Sequence, residues 1–198
     1  MTNNKDWSGN KKTTFVNLGA SNHSDKDREE NDYYATEPKA IELLLEQEEF
    51  SNVWECASGG GHLARVLDER GLLGKATDLI DRGYGESGVN FLEQTEIWNG
   101  DIITNPPYKY AQEFMEKGLS LLPNGRKIAM FLKLQFLEGK SRRKFFDKFP
   151  PKTVYVSSSR LNCAHGGDFD KYKSSAIAYA WFVWEKGVTT PTVIKWIN

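Results

Sequence analysis

The chain has 198 residues, of which 39% are hydrophobic, and a formal net charge of −1. This length supports one well-buried core, and the composition excludes fibrous, collagen-like and repeat proteins. Cys56 and Cys163 are too few and too far apart for a disulfide framework or a zinc knuckle, so we expect no metal site. No hydrophobic run reaches the length of a membrane span and the polar start is unlike a secretory signal, which leads us to expect a cytoplasmic protein.

Composition divides the chain into two regions. Residues 1–30 are rich in Asn, Ser, Asp, Lys and Glu, which predicts a flexible polar N-terminal arm. The pattern becomes globular afterwards, and residues 31–198 are expected to form a single domain. The first helix of this domain has Thr36 as its expected N-cap, Pro38 in its first turn, and three apolar residues on one face (Ile41, Leu44 and Leu45).

Extended and helical patterns alternate after this helix. Further helices are predicted near residues 62–69 and 110–122. Seven extended runs are predicted as strands, at residues 52–56, 75–80, 89–92, 101–104, 127–132, 153–157 and 176–185. Strands that alternate with helices indicate an α/β fold, in which a sheet carries helices on both faces and binds ligands at the carboxyl ends of its strands.

The most specific sequence feature is the NPPY loop, which follows the apolar run 102–104 and consists of Asn105, Pro106, Pro107 and Tyr108. The prolines stiffen the backbone, so the Asn105 side chain and the Pro106 carbonyl can both accept hydrogen bonds from one planar amino group. Tyr108 can stack on the ring that carries this group. The loop therefore favours methyl transfer to an exocyclic or amide nitrogen, and an ordinary proline turn at a strand end is the alternative.

A second motif lies at the end of the first predicted strand of the sheet. Glu55 and Cys56 precede a loop of small residues, here called the glycine loop (Ala57, Ser58, Gly59, Gly60 and Gly61). Glycines let the backbone approach a ligand closely, and the acid can bind an ammonium group. Asp78, near the end of the next strand, can accept hydrogen bonds from both hydroxyls of a ribose. A dinucleotide also fits this pattern, but the spacing between the glycine loop, Asp78 and the NPPY loop favours S-adenosylmethionine.

Positive charge is concentrated in the C-terminal half of the chain. Residues 126–173 contain twelve basic and four acidic residues. Five of the basic residues form what we call the basic cluster (Lys140, Arg142, Arg143, Lys144 and Lys148). Such a concentration on a near-neutral chain indicates a polyanionic partner that is bound through its phosphates, whereas a solvated helix face is the alternative.

With these motifs the chain resembles the phage and prophage DNA N6-adenine methyltransferases, a family of class I S-adenosylmethionine-dependent methyltransferases. The resemblance runs from residue 22 to residue 187 and includes the segments 32–38, 77–85 and 134–139. It implies a Rossmann-like fold with a seven-stranded, mostly parallel sheet, and it implies DNA as the partner. It makes the NPPY loop catalytic and assigns cofactor contacts to Tyr34, Thr36, Glu55, Ala57, Ser58, Gly59, Gly61, Asp78, Leu79, Asn90 and Phe91.

Two residues depart from the pattern of this family. Cys56 stands where proline is usual, and Asn90 stands where many members have aspartate, which implies weaker cofactor binding. We also expect no large separate target-recognition domain of the kind that many sequence-specific members carry. The implied reaction is direct methyl transfer to a flipped adenine without a strong general base. Two other functional classes stay open: a methyltransferase of RNA or of protein glutamine, and a catalytically idle DNA-binding relic of the fold.

Overall fold

The computed structural model describes residues 33–165, 167–170 and 177–198. The predicted arm over residues 1–30 lies outside these residues. The described part of the chain forms nine strands, which are β1 (Tyr34–Thr36), β2 (Val53–Glu55), β3 (Leu73–Ala76), β4 (Ile102–Thr104), β5 (Lys127–Lys133), β6 (Thr153–Ser157), β7 (Cys163–His165), β8 (Tyr179–Glu185) and β9 (Val193–Ile197).

Helices connect most of these strands. The α-helices of the described residues are α1 (Pro38–Leu45), α2 (His62–Glu69), α3 (Ala111–Leu121) and α4 (Lys140–Lys148). Short 3₁₀ helices follow three of the loops, at Phe91–Glu93, Tyr108–Tyr110 and Leu134–Leu137. Both helices that were predicted from periodicity near residues 62–69 and 110–122 are confirmed.

The main sheet has seven strands in the order β3-β2-β4-β5-β8-β6-β9. Strand β8 runs antiparallel to its neighbours β5 and β6, and every other neighbouring pair is parallel. The expected mostly parallel α/β sheet is therefore confirmed. Because the chain turns outward in opposite directions from β2 and β4, a topological switch point lies between them, where ligands of such sheets bind.

Apolar side chains cover both faces of the main sheet. Ile103 packs into one cluster with residues of α1 and α2, and its neighbour Ile102 packs into a second cluster with residues of α3 and α4. Consecutive strand residues point to opposite faces, so this division is the one that helices on both faces require. Trp181 lies in the first cluster and donates its indole N–H to Ala40 O at 2.7 Å.

Two local predictions are wrong. Thr36 is the last residue of β1, and Glu37 occupies the N-cap position of α1 without a side-chain cap. Thr36 lies in the strand because it pairs with Cys163 of β7, and its hydroxyl accepts a hydrogen bond from Asn105 instead of capping the helix. No strand forms at residues 89–92; a 3₁₀ helix (Phe91–Glu93) begins there instead, because the Asn90 side chain accepts a hydrogen bond from Leu92 N and caps the helical turn.

Other strands differ in extent or were not predicted. The predicted strand 75–80 ends at Ala76, since Asp78 accepts hydrogen bonds from backbone N–H groups at the turn that follows. The strand predicted over 176–185 begins at Tyr179, and residue 176 lies outside the described residues. Sequence reasoning missed β9, an edge strand with four exposed residues. It also missed β1 and β7, which pair antiparallel in a sheet of two three-residue strands.

Candidate functional site

The NPPY loop leaves β4 at the switch point, and its asparagine is held by two hydrogen bonds. Asn105 Nδ2 donates to Tyr34 O at 2.9 Å and to Thr36 Oγ1 at 2.8 Å. A carbonyl can only accept, so the nitrogen of the amide must face β1. Asn105 Oδ1 is buried and makes no hydrogen bond within the described part of the chain. Such an acceptor costs about 1–3 kcal/mol when unpaired, which marks it as a group suited to an external donor.

The other residues of the loop shape its surroundings. Pro106 is buried, and Pro107 occupies the N-cap position of the 3₁₀ helix Tyr108–Tyr110. The Tyr108 ring lies 6.2 Å from the Tyr179 ring and 4.9 Å from Lys133 Nζ, measured to ring centroids. Burial raises the pKa of the Tyr108 phenol well above its ordinary value, so the phenol stays protonated and contributes a ring face.

A cavity of about 390 Å³ opens beside Tyr108. This volume lies within the range of sites that bind small molecules or single planar groups. The cavity extends from the NPPY loop to the start of α4, and its lining includes Leu132, Lys133, Gln135, Phe136, Glu138 and Arg142. Since Tyr108 also lines this cavity, a planar group that enters it would contact this side chain.

The end of β2 holds a buried carboxyl group. Glu55 is 1% exposed, and its Oε1 accepts a hydrogen bond from Ala57 N at 3.2 Å. Glu55 Oε2 and Ser58 Oγ are buried without a hydrogen-bond partner among the described residues, and the Thr104 hydroxyl lies close enough to the Glu55 carboxyl to oppose the rise of its pKa. Burial, with a contribution from the charge of Asp78, raises the pKa of Glu55 to about 8. The carboxyl is therefore neutral near pH 7 unless a cation binds beside it.

Asp78 fixes the glycine loop to the end of β3. Its Oδ2 accepts from Gly59 N at 2.7 Å and its Oδ1 accepts from Ile80 N at 2.9 Å. A carboxylate oxygen can accept more than one hydrogen bond, so capacity for two hydroxyl groups is left. The neighbouring Leu79 is 57% exposed. The structure thus gives Asp78 a structural role, and its predicted contact with a ribose stays a prediction.

Two tyrosines that sequence reasoning missed cover the glycine loop. Tyr33 OH accepts a hydrogen bond from Gly60 N at 2.9 Å, and a Cβ atom added to Gly59 would collide with the Tyr33 ring. A Cβ atom on Gly61 would collide with the Tyr84 ring, and both Gly59 and Gly61 have positive φ angles, of 53° and 83°. Glycine is therefore required at both positions. The available signal was that both tyrosines lie in segments that resemble the family.

The two residues expected at the adenine of the cofactor have other contacts. Asn90 donates to Glu93 Oε1 at 2.8 Å in addition to capping its 3₁₀ helix. Phe91 is 2% exposed, and its ring packs against the rings of Trp54 and Phe114 at 5.3 Å and 5.0 Å. Phe91 therefore belongs to the core below the site, and the predicted adenine contacts of this pair stay predictions.

The residues of the basic cluster lie in three different settings. Arg142 lines the cavity, donates to the carbonyls of Gln135 and Glu138, and lies 4.4 Å from the centroid of the Phe136 ring. Arg143 forms an exposed ion pair with Asp147 at 3.0 Å. The remaining cations are spaced by four residues and lie exposed on one face of α4 (Lys140, Lys144 and Lys148). We call these three the lysine face.

The described residues hold neither a candidate metal site nor a candidate membrane span. Among the described residues, no group of three or more His, Cys, Asp or Glu side chains is arranged to hold a metal ion. No helix there is long and apolar enough to cross a membrane.

Comparison with known proteins identifies the fold. The chain is similar to a Listeria monocytogenes protein assigned to the class I S-adenosylmethionine-dependent methyltransferases, with a TM-score of 0.54 and 11% identity over 80% of this chain and 62% of that chain. This chain therefore spans less than two thirds of the length of that protein. The chain has a Rossmann-like class I methyltransferase fold. No family model and no curated protein matches the sequence.

Two further solved structures show how widely this fold is used. A candidate hemolysin from Lactococcus lactis has a TM-score of 0.56 and 12% identity over 80% of this chain and 91% of that chain. The type IIG restriction endonuclease BpuSI has a TM-score of 0.51 and 14% identity over 71% of this chain and 23% of that chain. At such identities the likeness concerns the fold alone, so the function has to be inferred from the site.

Because Glu55 has a raised pKa, the stability of the protein should depend on pH. The folded state holds the proton up to about pH 8, whereas the ordinary pKa is 4.5. The stabilisation is thus complete below the ordinary pKa and is lost as the pH rises through 8. We expect the free energy of unfolding to fall by up to roughly 5 kcal/mol over this interval, and Glu55→Gln to remove this fall.

Urea denaturation at a series of pH values measures this effect. Glu69→Gln, a substitution at an exposed position at the end of α2, is the matched control and should keep the wild-type pH dependence. An unchanged pH dependence in Glu55→Gln would show that Glu55 is ionised in the folded protein.

Proposed function

We propose that this protein is an S-adenosylmethionine-dependent methyltransferase that methylates the N6 amino group of adenine in DNA. The observation that carries the proposal is the buried, unpaired Oδ1 of Asn105, which is fixed at the end of β4 in the same loop as Tyr108, a residue that lines a cavity. An acceptor in this position suits a planar amino group. The fold supports a methyltransferase, because the sheet and its switch point are those of class I methyltransferases.

The residues at the ends of β2 and β3 fit S-adenosylmethionine. Glu55 Oε2 and Ser58 Oγ are buried polar atoms without partners, and they would hold the ammonium and carboxylate groups of its methionine part. Asp78 would hold the ribose hydroxyls, and the backbone of the glycine loop permits close approach. When bound, the cofactor supplies an electrophilic methyl group. Since Glu55 is neutral before a cation binds, cofactor binding should release a proton near pH 7.

The NPPY loop would orient the amino group that is methylated. Asn105 Oδ1 can accept one of its N–H hydrogens. The Pro106 carbonyl accepts no backbone hydrogen bond from the described residues, which leaves it available for the other. These two acceptors draw the hydrogens away from the ring plane and expose the nitrogen lone pair. Pre-organised acceptors of this kind stabilise the transition state more than the ground state.

Tyr108 would bind the ring of the flipped adenine. Taking a base out of the duplex costs a few kcal/mol, and stacking on an aromatic side chain offsets part of this cost. The adjacent cavity of about 390 Å³ has room for the base. Since the Tyr108 phenol stays protonated, it removes no proton from the amino group, which becomes acidic only as the methyl group arrives.

Charge favours DNA as the substrate. The lysine face lies on α4, and the same helix contributes Arg142 to the lining of the cavity. Cations beside a base-sized cavity suit the phosphates of a nucleic acid. BpuSI, which shares the fold, is a restriction endonuclease, and this also supports DNA. RNA and protein glutamine are the alternative substrates, and an inactive relic has little support because Asn105 Oδ1 is kept available at a cost in stability.

Asn105→Ala tests the proposed role of the NPPY loop. The variant should bind S-adenosylmethionine with nearly the wild-type affinity, because Asn105 acts on the substrate nitrogen. Its rate of methyl transfer to DNA should fall by at least about 10²-fold, as expected for loss of one pre-organised polar group at a reacting centre. Calorimetry measures the affinity, and single-turnover kinetics with cofactor bound measures the rate.

Asn124→Ala is the matched control, since Asn124 is exposed in the turn before β5. This turn lies at the amino end of β5, whereas the candidate site lies at the carboxyl ends of the parallel strands. It should keep the wild-type rate. Methylation of DNA by Asn105→Ala at the wild-type rate would refute the role given to this residue.

Two substitutions of Tyr108 separate stacking from hydrogen bonding. Tyr108→Phe keeps the ring, loses the hydroxyl that lies 3.6 Å from Cys163 Sγ, and should stay close to wild type. Tyr108→Ala removes the ring and should weaken capture of the base by ~1–3 kcal/mol. Equilibrium binding of DNA that contains a mismatched adenine measures capture. Equal loss in both variants would assign the role to the hydroxyl.

Neutralising the lysine face tests the contact with phosphates. Lys140, Lys144 and Lys148 are replaced together by Gln, while Arg142 is left in place because it supports the cavity. The slope of log affinity for duplex DNA against log salt should flatten by about 0.9 for each lysine that contacts a phosphate. Cofactor affinity should not change. A wild-type slope in the triple variant would identify these lysines as a solvated helix face.

A further inference from the structure

A second cavity lies beyond the carboxyl end of β6. In the strand order β4-β5-β8-β6, Tyr179 of β8 lies between this cavity and the NPPY loop, which follows β4. Its volume is about 280 Å³. The lining combines serine hydroxyls and one guanidinium with apolar atoms and contains no carboxylate, and its residues are Ser157, Ser158, Ser159, Arg160, Leu161, Ala178 and Tyr179. We call it the serine–arginine pocket. Hydroxyl and guanidinium donors without a carboxylate suit an anion.

Arg160 is the cation of this pocket. It is exposed and makes no hydrogen bond, ion pair or ring contact with the residues that the structure describes. This distinguishes it from Arg142 and Arg143, which are engaged by carbonyls and by a carboxylate. A guanidinium can bind two oxygens of one phosphate group in parallel.

The serine turn is held in place by the backbone. Ser158 N donates to Ile197 O at 2.9 Å, which attaches the turn to β9. Ser157 Oγ and Ser159 Oγ lie 3.5 Å apart, so their hydroxyls point to the same region. One of these two hydroxyls can donate to the other, which leaves the hydrogen of the second hydroxyl available, and the backbone bond holds both groups in a turn that needs little reordering on binding.

The pocket lies next to the NPPY side of the site. In the sheet register Lys133 of β5 faces Tyr179 of β8, and Val156 of β6 faces Ala180, which places Ser157 beside Tyr179. Neighbouring strands are about 4.8 Å apart, so Ser157 is about 10 Å from Lys133 across the sheet. Tyr179 lines the pocket, and its ring lies 6.2 Å from the Tyr108 ring.

We propose that the serine–arginine pocket binds a phosphodiester group of the DNA strand that carries the methylated adenine. The inference rests on the proposed function and adds a second anchor for its substrate. A strand whose base stacks on Tyr108 has its backbone close to Tyr179, and a phosphate next to the flipped nucleotide then meets Arg160 and the serine hydroxyls. Holding this phosphate keeps the extruded nucleotide in register with Asn105.

Arg160→Gln and Ser159→Ala test the pocket through binding alone. The probe is a fluorescent single-stranded oligodeoxyadenylate of about twelve nucleotides, titrated at several salt concentrations. Arg160→Gln should weaken binding about tenfold at low salt and flatten the log–log salt slope by about 0.7, the value for one phosphate contact on a single strand. Ser159→Ala should weaken binding without changing the slope, because it removes a donor and no charge.

Arg70→Gln is the matched control, since Arg70 is exposed before β3 at the opposite edge of the sheet. It should keep the wild-type affinity and slope. If the wild type binds the oligonucleotide and Arg160→Gln has the same slope, the pocket is overturned while the proposed function stands. If the wild type binds neither this probe nor duplex DNA, the proposed function and the pocket are both overturned.

Discussion

The candidate site depends on the two hydrogen bonds that the Asn105 amide donates to Tyr34 O and Thr36 Oγ1. They join the end of β4 to β1, which is far away in the sequence and pairs with β7 outside the main sheet. Because both amide hydrogens are used, the side chain is fixed and its oxygen faces away from β1. The small β1–β7 sheet thus orients a side chain of the NPPY loop, and the proposed methyl transfer depends on this orientation, because Asn105 Oδ1 would have to face the amino group of the substrate.

Buried polar atoms without hydrogen-bond partners lower the stability of the folded protein in the same region. Glu55 Oε2, Ser58 Oγ and Asn105 Oδ1 lack partners among the described residues at the carboxyl ends of two neighbouring parallel strands. Each costs about 1–3 kcal/mol, which the apolar clusters on both faces of the sheet must offset. A low local dielectric strengthens every charge interaction made there. The burial that opposes folding therefore favours a cation beside Glu55 and an N–H donor beside Asn105.

The sequence predicted those parts of the protein that follow from local patterns. Hydrophobic periodicity gave α2, α3 and most strands of the main sheet, and the unusual NPPY loop and the glycine loop located the switch point. Contacts between distant segments were not predictable in this way. The sequence pattern predicts Thr36 as a helix cap, but in the structure its hydroxyl accepts a hydrogen bond from Asn105. Arg142 has the sequence context of a surface cation, but its guanidinium packs over the Phe136 ring. Edge strand β9 has no buried face to reveal it by alternation.

The central claim is that the nitrogen held by the NPPY loop is the N6 amino group of adenine in DNA. It is tested most directly by incubating the protein with methyl-labelled S-adenosylmethionine and, in separate reactions, DNA, RNA or cell protein. Digestion and mass spectrometry then identify the labelled product. The account predicts label in N6-methyladenine from DNA. Label confined to RNA nucleosides or to glutamine, or no labelled product in any reaction, would contradict it.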